Sequence, residues 1–319
     1  MKKVFIDGAE GTTGLKIFER FANRNDVELL KIDSELRKDV NERKRLINLS
    51  DVTFLCLPDA AAIEAAALVE NPNTVLIDTS TAHRTDPEWA YGFAELGEDF
   101  REKIANSKRI TNPGCHASGF VSLVYPLVKA GILKKDAQLC SFSLTGYSGG
   151  GKKKIAEYEA ENRSIALDAP TQYKIDQKHK HLKEMQVICG IDKAPLFSPI
   201  IDDIYCGMET TVFLYPEIMN IPEGVEDIRA FLVDTYKKQY EGSKIIKVSD
   251  LGAEKESMGD TYSANYKAGK DDMEIFVNGN DERIIVTSLF DNLGKGASGG
   301  AIQNMNIVLG LDETTGLVF

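Results

Sequence analysis

Residues 111–119 read Thr-Asn-Pro-Gly-Cys-His-Ala-Ser-Gly, and the apolar run Phe120 to Leu127 follows at once. Pro113-Gly114 predicts a tight turn, and the run after it predicts a buried helix. Cys115 then falls at a helix N-terminus, where unpaired N–H groups and the positive dipole end favour an anion. A thiolate is such an anion, and this setting is one way a cysteine pKa is lowered. Cys115 is therefore a candidate nucleophile; the plainer alternative is a small buried hydrophobe.

The four histidines are 83, 116, 179 and 181. His179-Lys180-His181-Leu182-Lys183-Glu184 is the most pointed segment. If it is helical, His181 and Glu184 stand three apart on one face, where the carboxylate can orient the imidazole for acid/base work near neutral pH. A solvated surface helix is the competing reading. Two histidines and a glutamate also suit a metal, but no third ligand cluster accompanies them, so no metal is expected. His116, beside Cys115, reads as space-filling, because adjacent side chains on a helix diverge.

Gly8-Ala9-Glu10-Gly11-Thr12-Thr13-Gly14 lies between an apolar strand and a helical pattern. Glycines there let N–H groups approach a diphosphate at the helix N-terminus, so Gly8, Gly11, Thr12, Thr13 and Gly14 are candidate dinucleotide contacts. Farther on, Ser34, Arg37 and Lys38 can cradle a 2′-phosphate, which favours NADP over NAD, or they form a solvated charged turn. Thr79-Ser80-Thr81-Ala82-His83-Arg84 follows a strand, at the end where open α/β sheets place ligands. Arg84 can hold a substrate anion in forked geometry or cap Asp86 at the surface. Two glycine-lysine loops, Tyr147 to Lys152 and Asn292 to Ala297, suit anion or cofactor contacts or are flexible turns. Leu57 and Pro58, Ser80, Asn292 and Gly294 complete the candidate cofactor contacts. Asn112 and Ser148 join Arg84 as candidate substrate contacts.

The elements that must position these residues change character along the chain. Val4-Phe5-Ile6, Val27 to Ile32, Val52 to Leu57 and Val75-Leu76-Ile77 are strands without polar alternation, separated by helices; Leu15, Phe18 and Phe21-Ala22 should form one helical face. This predicts a parallel sheet covered on both faces, a Rossmann-type unit. Beyond about Gly131 the strands become amphipathic: Gln138 to Thr145, Thr210 to Tyr215, Lys244 to Val248, Met273 to Val277 and Arg283 to Phe290. They predict an α+β unit with a mixed, largely antiparallel sheet. The fold class is thus α/β, with a dinucleotide domain over 1–115, completed by a returning C-terminal helix in 297–319, and a catalytic and dimerisation domain over 116–296.

A length of 319 residues suits two such domains. With 38 Lys plus Arg against 49 Asp plus Glu, the net charge is −11, which argues against nucleic-acid or anionic-membrane partners. The apolar stretch Ala60 to Val69 is interrupted by Glu64, so no membrane span is expected. Five cysteines without paired spacing, and an N-terminus that meets Asp7 too early for a secretory signal, indicate free thiols in the cytoplasm.

Together these residues resemble the N-acetyl-gamma-glutamyl-phosphate reductases of arginine biosynthesis, in their shorter form. The similarity runs through Val4 to Leu15, Asp78 to Arg84, Tyr91-Gly92-Phe93, Asn112 to Cys115, His179 to His181 and Asp291 to Ala297. It implies NADPH-dependent reduction of an acyl phosphate to an aldehyde, with Cys115 as nucleophile, His181 as acid/base, and substrate contacts from His179 and Arg84. It also implies a homo-oligomer, a dimer or tetramer. His116 and Ser118 depart from the family, which usually has an aromatic residue and a threonine there. The aminoadipyl-phosphate reductases of lysine biosynthesis share much of the pattern, and aspartate-semialdehyde dehydrogenases share the glycine loop. A cofactor-binding redox sensor switched at Cys115 is the non-enzymatic alternative.

Overall fold

The order of elements follows from where apolar residues alternate and where helices are capped. The computed structural model describes residues 1–22 and 24–319. The chain divides into two units: residues 1–94, 98–114 and 297–317 form the first, and 95–97, 115–296 and 318–319 the second.

The first unit contains β1 (Lys2–Asp7), α1 (Thr12–Phe21), β2 (Val27–Leu30), α2 (Val40–Leu49), β3 (Val52–Leu55), α3 (Asp59–Ala67), β4 (Val75–Asp78), β5 (Ala90–Tyr91), α4 (Glu98–Asn106) and β6 (Arg109–Thr111). Its strands form one parallel sheet in the order β2-β1-β3-β4-β6-β5. The sheet is buried on both faces, and successive residues serve opposite cores. Val4, Ile6, Phe54 and Ile77 pack with Ile17 and Phe21 of α1 and with Ile302 and Met305 of the closing helix Gly299–Val308. Phe5, Leu55 and Leu76 face Leu46 and Ile47 of α2 and Ala65 of α3. Strand order reverses at β1, so the crevice at the carboxyl ends of β1 and β3 is the unit's natural ligand site.

The expected face of α1 is rotated. Gly14, Ile17 and Phe21 are buried, whereas Leu15 is exposed. Gly14 has to face inward because Gly8 approaches it closely, and that sets the phase of the helix.

The second unit contains α5 (Cys115–Lys129), β7 (Cys140–Gly146), α6 (Gly151–Tyr158), β8 (Thr171–Gln172), α7 (His181–Cys189), β9 (Leu196–Asp202), β10 (Met208–Leu214), α8 (Ile228–Gln239), β11 (Ile246–Val248), α9 (Ala253–Met258), β12 (Met273–Gly279) and β13 (Ile284–Phe290). The sheet order is β11-β12-β13-β10-β7-β9-β8. Four of the neighbouring pairs are antiparallel, and β11–β12 and β7–β9 are parallel. Both sheets are of the kinds the sequence predicts.

Helix α5 is buried nearly all round, as an apolar helix in a core must be. A Cβ placed on Gly119 would stand 2.3 Å from Oγ1 of Thr210, so α5 lies directly on β10. Ser141, Ser143, Thr145, Thr210 and Val212 are buried on that side of the sheet. On the other side, Leu196, Cys140 and Phe213 lie in one row of paired residues and are exposed.

Candidate active site

In the first unit, the loop after β1 is built on close backbone approach. Gly8 has φ +90°, and a Cβ there would lie 2.3 Å from the Cys56 carbonyl oxygen; one on Gly14 would lie 2.5 Å from the Gly8 carbonyl oxygen. Only glycine fits both places without displacing backbone. The Gly11 N–H donates to the Gly8 carbonyl, and α1 starts at Thr12. The Thr12 hydroxyl is buried and has no hydrogen-bond partner among the described residues, as expected where a ligand oxygen completes the site. Thr13 follows in the same open first turn. At the carboxyl end of β3, Leu57 packs near Gly8, and Pro58 is the N-cap of α3. Ser34 and Arg37 are exposed beyond β2, and Arg37 pairs with Glu10 of the glycine loop at 2.5 Å. These residues fit a dinucleotide: a cradle that side chains would fill, an orphaned hydroxyl and a cation beside the loop.

The segment after β4 is internally bonded. Ser80 donates to Asp78 (2.8 Å), and the Asp78 carboxylate also meets Nδ1 of His83 at 2.6 Å. The His83 ring stacks on Trp89 at 4.0 Å. Arg84 is buried instead of capping Asp86 at the surface. Its Nε donates to the Asn112 carbonyl (3.0 Å) and an Nη to the Thr79 carbonyl (2.9 Å). The Asn112 side chain donates to the Ala297 carbonyl and accepts from Asn304, which also bonds the Gly92 carbonyl. Arg84 and Asn304 thus fix the strand end that leads to Cys115. Residues 112–114 run as an irregular link between β6 and α5, without the tight turn that Pro113-Gly114 suggests.

In the second unit, Cys115 is half-buried and is the first residue of α5. His181 and Glu184 are buried in the first turn of α7, and His179 is buried just before it. The rings of His116, His179 and His181 cluster, with centroids 5.4 Å (116–179), 5.8 Å (116–181) and 4.6 Å (179–181) apart. Phe197 of β9 closes the cluster edge-on to His116 and His179.

His116 does more than fill space. Its Nδ1 lies 2.8 Å from the Ser143 hydroxyl and its Nε2 2.7 Å from the Tyr173 hydroxyl. Burial, with His179 adding to it, pushes its pKa down to about 3, so this imidazole is neutral. Burial also pushes the Tyr173 phenol well up, and charge on Cys115 raises it further. Ser148 and Asn292 meet each other at 3.0 Å, and Asn292 also accepts from the Gly207 N–H. Gly294 leaves room for the Lys270 carbonyl, 2.0 Å from where its Cβ would be. Asn292 and Gly294 belong to the second unit, whereas the other candidate cofactor contacts belong to the first.

Residues 115–292 match the family model described as semialdehyde dehydrogenase, dimerisation domain. A curated relative from Nostoc sp., N-acetyl-gamma-glutamyl-phosphate reductase 2, is 41% identical over 323 residues, covering 99% of each chain. A Sinorhizobium fredii protein named N-acetyl-gamma-glutamyl-phosphate reductase is 42% identical over 96% of this chain and 98% of its own. The chain belongs to the N-acetyl-gamma-glutamyl-phosphate reductase family. Among solved structures, aspartate semialdehyde dehydrogenase II of Vibrio cholerae, complexed with ASA, is similar at TM-score 0.68 and 15% identity, over 97% of this chain and 98% of that one. The Candida albicans aspartate semialdehyde dehydrogenase with NADP gives TM-score 0.63 at 14% identity, with coverage of 97% and 98%. At those identities the likeness concerns the fold.

For a reductase of this family, the second unit brings His179, His181 and Glu184 together with His116, next in the chain to Cys115. The first unit holds the glycine loop, Ser80, Arg84 and Asn112. Tyr173, Ser143 and Thr210 escape the sequence reading. No spacing links residue 173 to 116; they meet because β8 pairs with β9 beside β7.

Proposed function

We propose that this chain reduces N-acetyl-L-glutamyl 5-phosphate to the 5-semialdehyde with NADPH, through a thioester on Cys115. What carries the reading is the Cys115 segment at the head of α5 beside the buried histidine cluster, in a chain about 41% identical to named reductases over nearly its whole length. The relatives' names favour the acetylglutamyl substrate over aspartyl phosphate, since the aspartate enzymes are similar in fold at only 14–16% identity.

His181, oriented by Glu184, takes the Cys115 thiol proton. The thiolate attacks the acyl carbon, the carbon–oxygen bond to phosphate breaks, and phosphate leaves. Arg84, anchored by two carbonyls, supplies positive charge for that phosphate, with Asn112, Ser148 and His179 as further substrate contacts. NADPH, held by Gly8, Gly11, Thr12, Thr13 and Gly14, with Leu57, Pro58, Ser80, Asn292 and Gly294 as further contacts and Ser34 and Arg37 at the 2′-phosphate, supplies hydride to the thioester carbon. His181 returns its proton to the resulting oxyanion. It takes the hydroxyl proton back as the carbon–sulfur bond breaks and aldehyde departs, which regenerates the thiolate.

The first unit serves as the NADPH domain and the second as the catalytic and dimerisation domain. The exposed row Leu196, Cys140 and Phe213 is a face on which a second copy can pack, as the matched family's description suggests. No helix of the described residues is long and apolar enough to cross a membrane, and the free cysteines suit a reducing cytoplasm.

The test is aldehyde-dependent NADP reduction in the presence of phosphate. N-acetylglutamate semialdehyde should be used far faster than aspartate semialdehyde or the N-acetyl-aminoadipate analogue. A preference for either competitor, or no turnover with any, overturns the assignment.

A further inference from the structure

The hydrogen bonds around His116 have a fixed direction. The main-chain N–H of His181 lies 3.1 Å from Nδ1 of His179, so that nitrogen must offer a lone pair. A neutral His179 therefore carries its proton on Nε2, which faces the Tyr173 hydroxyl at 3.5 Å. The Tyr173 oxygen accepts there and turns its own proton to Nε2 of His116, 2.7 Å away. His116 must then be protonated on Nδ1 and donate to Ser143 (2.8 Å), whose proton goes on to the Thr210 hydroxyl (2.8 Å). A second proton on His179 would oppose an Nδ1–H to the His181 N–H. Turning the Tyr173 proton to Nε2 of His179 would set two protons against each other.

The groups facing His179 include His116 from α5, Tyr173 from the segment after β8, His181 from α7 and the Phe197 ring from β9. His116 is itself sealed in by burial. A chain of this kind, buried at His116, Ser143 and Thr210 and part-buried at Tyr173, favours one protonation pattern at His179, because the alternative there costs a polar clash.

We propose that Tyr173 and His116 are positioning residues that hold His179 as a single neutral tautomer, protonated on Nε2, so that His179 stays out of proton transfer and the proton moves through His181. The assignment deepens the function proposed above and rests on that reading for His181. It gives His179 the role of a fixed polar contact and explains a histidine next to the reactive cysteine.

The experiment uses the full chain labelled with 15N-histidine, read by two-bond proton–nitrogen correlation spectra over about pH 6 to 8. The signal lost in His179→Gln assigns the ring. The expected result is one neutral ring, protonated on Nε2 and unchanged across the range. A ring protonated on Nδ1, or doubly protonated, overturns the proposal. In His116→Phe the Tyr173 proton is released from its acceptor and competes at Nε2 of His179. A second tautomer should then appear, with kcat/KM lower by on the order of tenfold. His116→Gln, whose amide can accept from Tyr173, should restore the single tautomer; a His116→Phe spectrum identical to wild type contradicts the proposal. If His116→Phe does not fold, the wild-type spectrum decides alone. That spectrum is taken on resting enzyme, so a failure of the thioester mechanism, such as an active Cys115→Ser enzyme, would be seen separately.

Discussion

Gly296 leaves the space that Cys115 occupies: a Cβ on Gly296 would lie 3.0 Å from the Cys115 Cβ, with the Asp291 carbonyl oxygen at 3.2 Å and the Phe290 ring at 3.3 Å. A methyl group there is tighter than packing allows on three sides, so something must give. The half-buried cysteine at the head of α5 has more room to move than the buried Phe290 ring or the Asp291 backbone. Gly296→Ala should therefore lower kcat by on the order of 10- to 100-fold, with a stability loss of about 1–3 kcal/mol from overpacking. Steady-state kinetics beside urea unfolding checks this. Unchanged kcat would mean that the sulfur tolerates displacement.

His116 makes stability depend on pH in the acid range. Its folded pKa is pushed down to about 3 from an ordinary 6.5, so between those values the unfolded chain binds the extra proton and the folded chain does not. Stability therefore rises with pH through this window. The contribution is complete above pH 6.5 and is lost progressively as pH falls toward 3, amounting to a few kcal/mol at about 1.4 per unit. Urea unfolding of wild type and His116→Phe at a series of acid pH values should give a shallower slope for the variant. Equal slopes would place the acid sensitivity elsewhere.

Lys295 and Glu95 form a buried ion pair in the second unit, at 2.9 Å to both carboxylate oxygens and with side chains only 2% exposed. Removing one partner takes the opposite charge of this pair away from a buried ion. Lys295→Met should cost about 3–5 kcal/mol, while the double variant Lys295→Met/Glu95→Leu should recover most of it. Thermal and urea unfolding of wild type, Lys295→Met, Glu95→Leu and the double variant tests the coupling. Losses that simply add would show that the two side chains act independently.

Arg37, exposed beyond β2, pairs with Glu10 of the glycine loop. Arg37→Ala should raise the KM for NADPH by about tenfold, the value of roughly one charge-assisted contact, and leave that for NADH within twofold. An equal change for both cofactors would remove Arg37 from the 2′-phosphate.

Much of the fold was legible because β1, β3 and β4 are short apolar runs that only a doubly covered sheet can bury, and because Gly8 and Gly14 mark a backbone crossing. The amphipathic strands β10 and β13 announced the second sheet through simple alternation. Helix α2 was missed because its sequence is charged: Leu46 and Ile47 are its buried apolar residues, beside a buried Arg43 that pairs with Asp7, and Asp39 caps its first turn. Strand β9 was missed because Pro199 interrupts it; the Pro199 carbonyl accepts from the Tyr173 N–H, so its missing N–H faces away from β7. In the site, Cys115 and His181 stood out by local context. Tyr173 and Ser143 did not, since their meaning comes from long-range pairing that no local pattern records. The two readings of Arg84, anion holder or surface cap on Asp86, could not be separated because nothing in its own segment shows the Asn112 carbonyl that its buried side chain meets.

The thioester is the step on which the account stands, and trapping it is the most direct measurement. The enzyme is incubated with N-acetylglutamate semialdehyde and NADP without phosphate, quenched in acid, digested and read by mass spectrometry. The account predicts an N-acetylglutamyl adduct on the peptide holding Cys115, released when phosphate is added before the quench and absent from Cys115→Ser, whose turnover should fall by more than about three orders of magnitude. An adduct on another residue, or a Cys115→Ser enzyme within tenfold of wild type, would contradict it.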